Sequence, residues 1–378
     1  MTRFFCFALI FCSSLALAQK ITISGSLIDK ETREPLAFAT VSIKDRSVAT
    51  ISNQAGAFDF HLSSAYRNEI LVVSMLGYNN FEAPVWSVTE DMPVVIELIK
   101  STTVLDEVVI LEQYTGEDII RIALSRVEQN YPMEPFLLNG FYRDIRKVAG
   151  TYIGLLEAAL KIYDQDYAAP RNRGRLRERV KLVEVRKSLG YDSRFSYYFD
   201  QSNFLEDLLL QNDIRYRLIS DDEEYLKKAN RLPDSYYNDR EIYVVDLTSD
   251  HYLQLSVDKQ TFGIVQIKYE QKALPEIVER KRNLASRKAG LTRTIDFRMI
   301  DGKFFPGYMQ LESKVNWYDI NTNEFKFETV LLQQLLINDV QPKTTERISA
   351  GEKMRNYSLQ FQDRPYNKTF WENYNVIK

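Results

Sequence analysis

Two segments, Ile21-Thr-Ile-Ser-Gly-Ser-Leu-Ile-Asp29 and Ala37-Phe-Ala-Thr-Val-Ser-Ile43, decide how the first part of this chain folds. In the second, Ala37, Ala39, Val41 and Ile43 alternate with Phe38, Thr40 and Ser42, and a period of two puts one set on each face of a strand. Glu34-Pro35-Leu36 leads the chain from the first segment into the second. Ser52-Asn-Gln-Ala-Gly56 then turns it back ahead of Phe58, Phe60 and Leu62, again at alternate positions. The run Ile70-Leu-Val-Val-Ser-Met-Leu-Gly77-Tyr78 is continuously apolar, as a strand buried on both faces requires. Val94-Val-Ile-Glu-Leu98 supplies a last strand, followed by Leu105-Asp-Glu-Val-Val-Ile110.

Taken together, Pro35-Leu36, the Ala39-x-Val41-x-Ile43 strand, Gly56-x-Phe58, Gly77-Tyr78 and Leu105-Asp-Glu-Val-Val109 resemble the carboxypeptidase-regulatory-like domain. That module stands at the periplasmic front end of many Gram-negative outer-membrane receptors. Asn53 occupies a turn position where the family usually has an acidic residue, and a turn tolerates either. The resemblance implies a seven-stranded-type, transthyretin-like β-sandwich over residues 19–110 and a place in the cell envelope. It implies no chemistry, because in the peptidases the module accompanies the catalytic domain and lacks its zinc ligands. In the receptors a plug and a large barrel follow. The 268 residues after Ile110 are too few for a plug and a 22-stranded barrel, so a transporter is not expected.

Residues 1–18 carry Arg3, an apolar run from Phe4 to Leu17, and Ala16-Leu-Ala18 before Gln19, the pattern of a cleaved secretory signal peptide. The run falls short of the roughly 20 residues that span a bilayer, and Cys12 after Phe11 does not suit lipidation. No later hydrophobic run is long enough for a transmembrane segment. Both cysteines, Cys6 and Cys12, lie inside the signal, so the mature chain is expected to form no disulfide and to use no thiolate. With 49 basic and 52 acidic residues, the chain has no global field to attract nucleic acid.

After the module, Thr115 can cap a helix, Asp118 sits at its third position, and Ile119, Ile120, Ala123, Leu124 and Val127 form one apolar face. Residues 111–137 therefore read as a connector helix, ended by Tyr131-Pro132. From 138 to 340 the pattern is antiparallel β with helical insertions. Strands are expected at 139–145, 152–163, 180–187, 242–247, 252–257, 263–269, 291–300, 304–315 and 325–336. Leu205, Leu208 and Leu209 have helical spacing, the surroundings up to Asp239 read as a polar loop, and Asp301-Gly302 marks a tight hairpin. Residues 341–378 form a polar tail expected to pack on this domain through Phe370, Trp371 and Tyr374. Phe141-Tyr-Arg143, Leu156-Glu-Ala158, His251 through Asp258, Thr261 through Val265 and Phe370-Trp-Glu-Asn-Tyr-Asn375 resemble envelope proteins that share the front module. The layout is also similar to the half-barrel sheets of periplasmic lipoprotein carriers, an analogy of architecture alone.

The sequence offers little chemistry. His61 and His251, the only histidines, read as surface residues at strand positions, and no metalloprotease, nucleophile-elbow or P-loop pattern occurs. Asp221-Asp-Glu-Glu224 lacks the spacing and glycine of a calcium loop and reads as a solvated loop or helix start. Arg171, Arg173, Arg175, Arg177, Arg179 and Lys181 alternate; extended, they could meet lipid phosphates or an acidic surface, whereas an exposed loop balanced by Glu178 and Glu184 is the plainer reading. Asn367-Lys-Thr369 is a chance sequon. No catalytic, cofactor-binding or metal residue is expected, and no binding residue is singled out. The expected function is a non-catalytic periplasmic or outer-membrane-associated interaction or scaffold protein, partnered by another envelope protein. The alternative is a carrier of a lipid or other hydrophobic ligand, with the apolar residues of 156–162, 253–257 and 291–299 lining a cavity. A carboxylate hydrolase would need a buried acidic pair in a cleft.

Overall fold

The computed structural model describes residues 20–89, 93–101, 114–188, 197–199, 204–354, 359–362 and 364–378. The expected signal peptide and the Leu105–Ile110 stretch lie outside the described residues. The front module is a seven-stranded sandwich of β1 (Lys20–Asp29), β2 (Thr40–Ile43), β3 (Ala49–Ile51), β4 (Ala57–Ser63), β5 (Ile70–Ser74), β6 (Phe81–Pro84) and β7 (Val94–Leu98), with a one-turn helix α1 (Val85–Val88). One sheet has the order β4-β1-β7 and the other β3-β2-β5-β6. Every second residue enters the core between them, including Ile23 and Leu27, Val41 and Ile43, Phe58 and Phe60, and Leu71 and Val73. Gly25 sits inside β1 because a Cβ there would lie 2.4 Å from the Val94 carbonyl oxygen.

Beyond the module come α2 (Gly116–Ser125) and α3 (Val127–Asn130). Thr115 and Asp118 form a reciprocal capping box at the start of α2, which buries Ile119, Ile120 and Ala123. The second domain is one antiparallel sheet built from β8 (Phe136–Val148), β9 (Thr151–Asp164), β10 (Arg179–Lys187), β11 (Ala229–Tyr237), β12 (Arg240–Thr248), β13 (Tyr252–Asp258), β14 (Ile264–Gln271), β15 (Ile277–Lys281), β16 (Leu284–Ile300), β17 (Lys303–Asp319) and β18 (Phe325–Gln341). Its order is β10-β9-β8-β18-β17-β16-β14-β13-β12-β11, with β15 paired to the outer half of β16, and it does not close into a barrel. Asp301-Gly302 turns β16 into β17 with both residues at positive φ, as the dipeptide predicts.

The two faces of this sheet are covered differently. On one, Leu138, Tyr142, Leu156, Ala158, Leu160, Leu255, Ile295, Met309 and Leu335 pack under α2, α3 and the inserted α4 (Phe204–Leu210), α5 (Asp213–Tyr216) and α6 (Glu223–Leu226). The strand residues offered as cavity lining at 156–162 and 253–257 therefore lie mostly in a filled core. On the other face, Phe141, Ala159, Tyr308 and Leu336 meet Ile51 of the module and Trp371 and Ile377 of the tail, where α7 (Lys368–Trp371) lies.

Two expectations need correction, and a third reading is narrowed. The stretch before Asp239 is not all loop: β11 is an edge strand, paired on one side to β12 with a register shift between Leu232 and Ser235. An edge strand needs only one apolar face, so its polar residues hid it. Both histidines are half-buried. His251 stacks at 4.8 Å on Tyr269 and meets the Tyr225 hydroxyl at 3.1 Å; His61 meets Thr22 Oγ1 at 2.8 Å and is tied to the tail through its backbone. The alternating basic run follows its plainer reading, a loop that runs into a strand start. Arg171, Arg173 and Arg175 are in a loop, while Arg177 reaches Asp166 at 3.0 Å, Arg179 the Ile348 carbonyl at 2.9 Å and Lys181 Glu352 at 2.6 Å.

Candidate functional site

Side chains of the module, the sheet and the tail meet in a seam that holds both apolar contacts and polar ties. The last residues of the chain hold that seam. Asn375 accepts from the His61 N–H at 2.7 Å and donates to the His61 carbonyl at 3.1 Å, completing β4's outer edge as a strand would. Lys378 pairs with Asp59 at 3.0 Å, Arg143 donates to the Ile377 carbonyl at 3.0 Å, and Tyr374 donates to the Gly140 carbonyl at 2.9 Å. A second tie comes from β11, where the Tyr236 carbonyl accepts from the Gly77 N–H at 2.8 Å.

Two adjoining cavities of about 230 and 450 Å³ lie in the seam and share Thr40 of β2 and Ser74 of β5. Phe38 and Tyr308 form an aromatic wall of the first, stacked at 5.3 Å with 18° between their planes. Phe38 holds a left-handed φ of 61°, uncommon for a bulky side chain and a local strain of order 1–3 kcal/mol. Its N–H donates to the Ser52 carbonyl at 3.1 Å, which with the ring stack fixes that conformation.

Asp296 and Arg298, two apart on β16, project from the sheet into the first and second cavity respectively. Desolvation pushes the Asp296 carboxyl up to about 6, against one hydrogen bond from Gln266 at 2.7 Å and the more distant Lys268 charge. Desolvation likewise depresses the Arg298 guanidinium to about 10. Arg298 is 8% exposed, lies across Gly307, whose missing side chain makes room for it, and donates to the Ile337 carbonyl at 3.0 Å. Among the described residues neither group has an ion-pair partner, although an unpaired buried charge costs several kcal/mol. Tyr237 stands within reach of both charges, its hydroxyl against those of Ser74 and Thr40.

Other buried charges are internally matched. Asp164 pairs with Arg215, and Tyr216 donates to Glu178, whose carboxyl desolvation raises to about 7. Arg293 pairs with Asp213 at 2.7 Å and stacks over Tyr269. These clamp α5 and the loop before β10 onto the sheet. Among the described residues no group of three or more His, Cys, Asp or Glu is placed to hold a metal ion, and no helix is long and apolar enough to cross a membrane. A third cavity, of about 490 Å³, lies over the outer halves of β16–β18, lined by Leu291, Leu311, Trp317 and Leu331 with Phe199 and Phe204.

Sequence reasoning missed Asp296, Arg298, Tyr237 and Phe38. Asp296 and Arg298 alternate with Ile295 and Phe297, the signature of a solvent-facing set, and nothing local reveals that a second domain covers them.

Residues 23–110 match the family model of the CarboxypepD_reg-like domain, so the chain carries that module at its front. Over 102 residues the chain is 37% identical to the TonB-dependent receptor SusC of Bacteroides thetaiotaomicron, a match over 27% of this chain and 9% of the receptor's length. Among solved structures it is similar to the MucA/MucB complex of Pseudomonas aeruginosa, with a TM-score of 0.22 and 10% identity over 61% of this chain and 99% of that one. It is similar also to lipovitellin, with a TM-score of 0.27 and 10% identity over 60% of this chain and 27% of that one.

Proposed function

We propose that this chain is a non-catalytic interaction protein of the cell envelope, exported to the periplasm or held at the outer membrane, whose front module docks an envelope protein. The observation that carries the reading is how the module is mounted. Its β4 edge and its β3 side are committed to the tail and the sheet, whereas β7 has no second partner strand among the described residues. Val95 on β7 is 57% exposed, so the strand's outer side offers backbone groups and an apolar side chain for strand addition; just beyond it the edge is closed, where Asn79 donates to the Ile99 carbonyl at 2.9 Å. The match to the front end of a receptor supports an envelope setting. A photo-crosslinking residue at Val95, in the native host, is expected to yield one discrete adduct with an envelope protein. The same residue at exposed Tyr152 is expected to yield none. Native mass spectrometry showing a one-to-one lipid, with no Val95 adduct, would overturn the reading.

That second outcome belongs to the carrier alternative, which one observation favours. The groove of about 490 Å³ beside Leu291, Leu311 and Leu331 is the part of the sheet's helix-covered face that the helices leave open. Co-purification of a fatty acyl ligand that Leu311→Lys abolishes would support it.

A further inference from the structure

The two seam cavities hold one anion and one cation, two residues apart on β16, neither with an ion-pair partner among the described residues; Tyr237 lies near both, and the Asp339 carboxylate acts on Arg298 from outside ion-pair distance. Their backbone positions are roughly 7 Å apart along the strand. The other ionic side chains at the second cavity are engaged or solvated. Lys44 pairs with Glu82 and Arg46 with Glu69, Asp239 accepts from Asn80, and Asp45 and Asp301 are exposed at turns. At the first cavity Lys268 is exposed and makes no ion pair with Asp296 among the described residues. Arg298 spends one N–H on a backbone carbonyl and lines the second cavity together with Thr40 and Ser42. The first cavity has an apolar patch of Phe38, Met75, Leu76 and Tyr308 opposite the polar Gln266, Thr294 and Gln310.

We propose that the joined cavities bind a zwitterionic small molecule of dipeptide length, its ammonium on Asp296, its carboxylate on Arg298 and an apolar side chain against Phe38 and Tyr308. An extended dipeptide separates its two charges by roughly the two-residue rise of the strand, and each charge meets a desolvated opposite one, where a charge-assisted hydrogen bond is strong. The site is made by both domains, so it exists only while the module stays docked on the sheet. This inference does not depend on what docks at β7.

The test is calorimetric titration of the full chain with Leu-Gly, N-acetyl-Leu-Gly and Leu-glycinamide. Leu-Gly is expected to bind saturably, and capping either end to weaken binding by roughly tenfold or more. Asp296→Asn should erase the discrimination between Leu-Gly and its N-acetyl form, and Arg298→Met that between Leu-Gly and its amide. Arg298→Met should melt at or above the wild-type temperature, because a buried unpaired charge has been replaced by an apolar stem, so loss of binding there is not loss of fold. No saturable binding of Leu-Gly up to about 10 mM, equal affinity for all three compounds, or an Arg298→Met chain that still prefers the free carboxylate would each overturn the proposal.

Discussion

Trp371→Ala tests whether the tail is an integral part of the fold. The indole is 3% exposed and meets Phe370 at 5.3 Å, Tyr374 at 6.1 Å and Phe141 of β8 at 6.4 Å, with the Arg186 guanidinium 4.4 Å over its ring. Burying about 200 Å² of ring at about 25 cal/mol/Å² is worth about 5 kcal/mol, in line with the 3–5 kcal/mol typical of large-to-alanine core changes. Against this, the indole Nε1 is buried without an acceptor, and removing an unsatisfied donor returns about 1–2 kcal/mol. The net loss is about 3 kcal/mol. For a chain of this length the unfolding entropy is roughly 0.75 kcal/mol/K, which places the melting temperature about 4 °C lower. Trp371→Phe keeps the ring contacts and drops the orphan donor, so its melt should stay within about 1–2 °C of wild type. Differential scanning calorimetry of the three proteins decides the matter. An unchanged melt for Trp371→Ala, or a Phe variant as weak as the Ala variant, would refute the reasoning.

Three further outcomes follow from the same geometry. Asn375→Ala should lower the urea midpoint by the equivalent of about 1–2 kcal/mol, because it strands the His61 backbone groups, whereas Lys378→Ala, which removes an exposed ion pair, should change stability by less than about 1 kcal/mol. Gly263→Ala would put a Cβ 2.1 Å from the buried Phe304 ring and should destabilise by about 1–3 kcal/mol in chemical unfolding. Glu178, raised by burial from 4.5 to about 7, keeps its proton in the folded state while the unfolded chain loses it. Its contribution therefore weakens stability as pH rises from about 4.5 to 7, by an amount of order 3 kcal/mol. Glu178→Gln should flatten that part of the pH profile and unfold at a higher urea concentration than wild type at pH 8; a slope unchanged in the variant would contradict it.

What the sequence determined is what short-range pattern can carry. The alternation in 37–43 and 57–63, the apolar run at 70–74 and the turn at Gly56 are enough to specify the sandwich. Thr115 with Asp118 marks the helix start, Asp301-Gly302 the longest hairpin, and the aromatic cluster at 370–374 the tail's anchor. The tertiary structure decided which faces are covered. Period two says that Asp296 and Arg298 lie opposite Ile295 and Phe297, but coverage depends on residues more than 200 positions earlier that fold back as a separate domain. The same holds for β11, whose pairing with β12 supplies the order its own composition does not. It holds for the strands offered as cavity lining too, since their apolar faces read alike whether helices or a ligand fill the space above them. Alternation is a property of the backbone; burial belongs to whatever packs against it, and only the assembled chain brings the tail, the module and the sheet together around two unpaired charges.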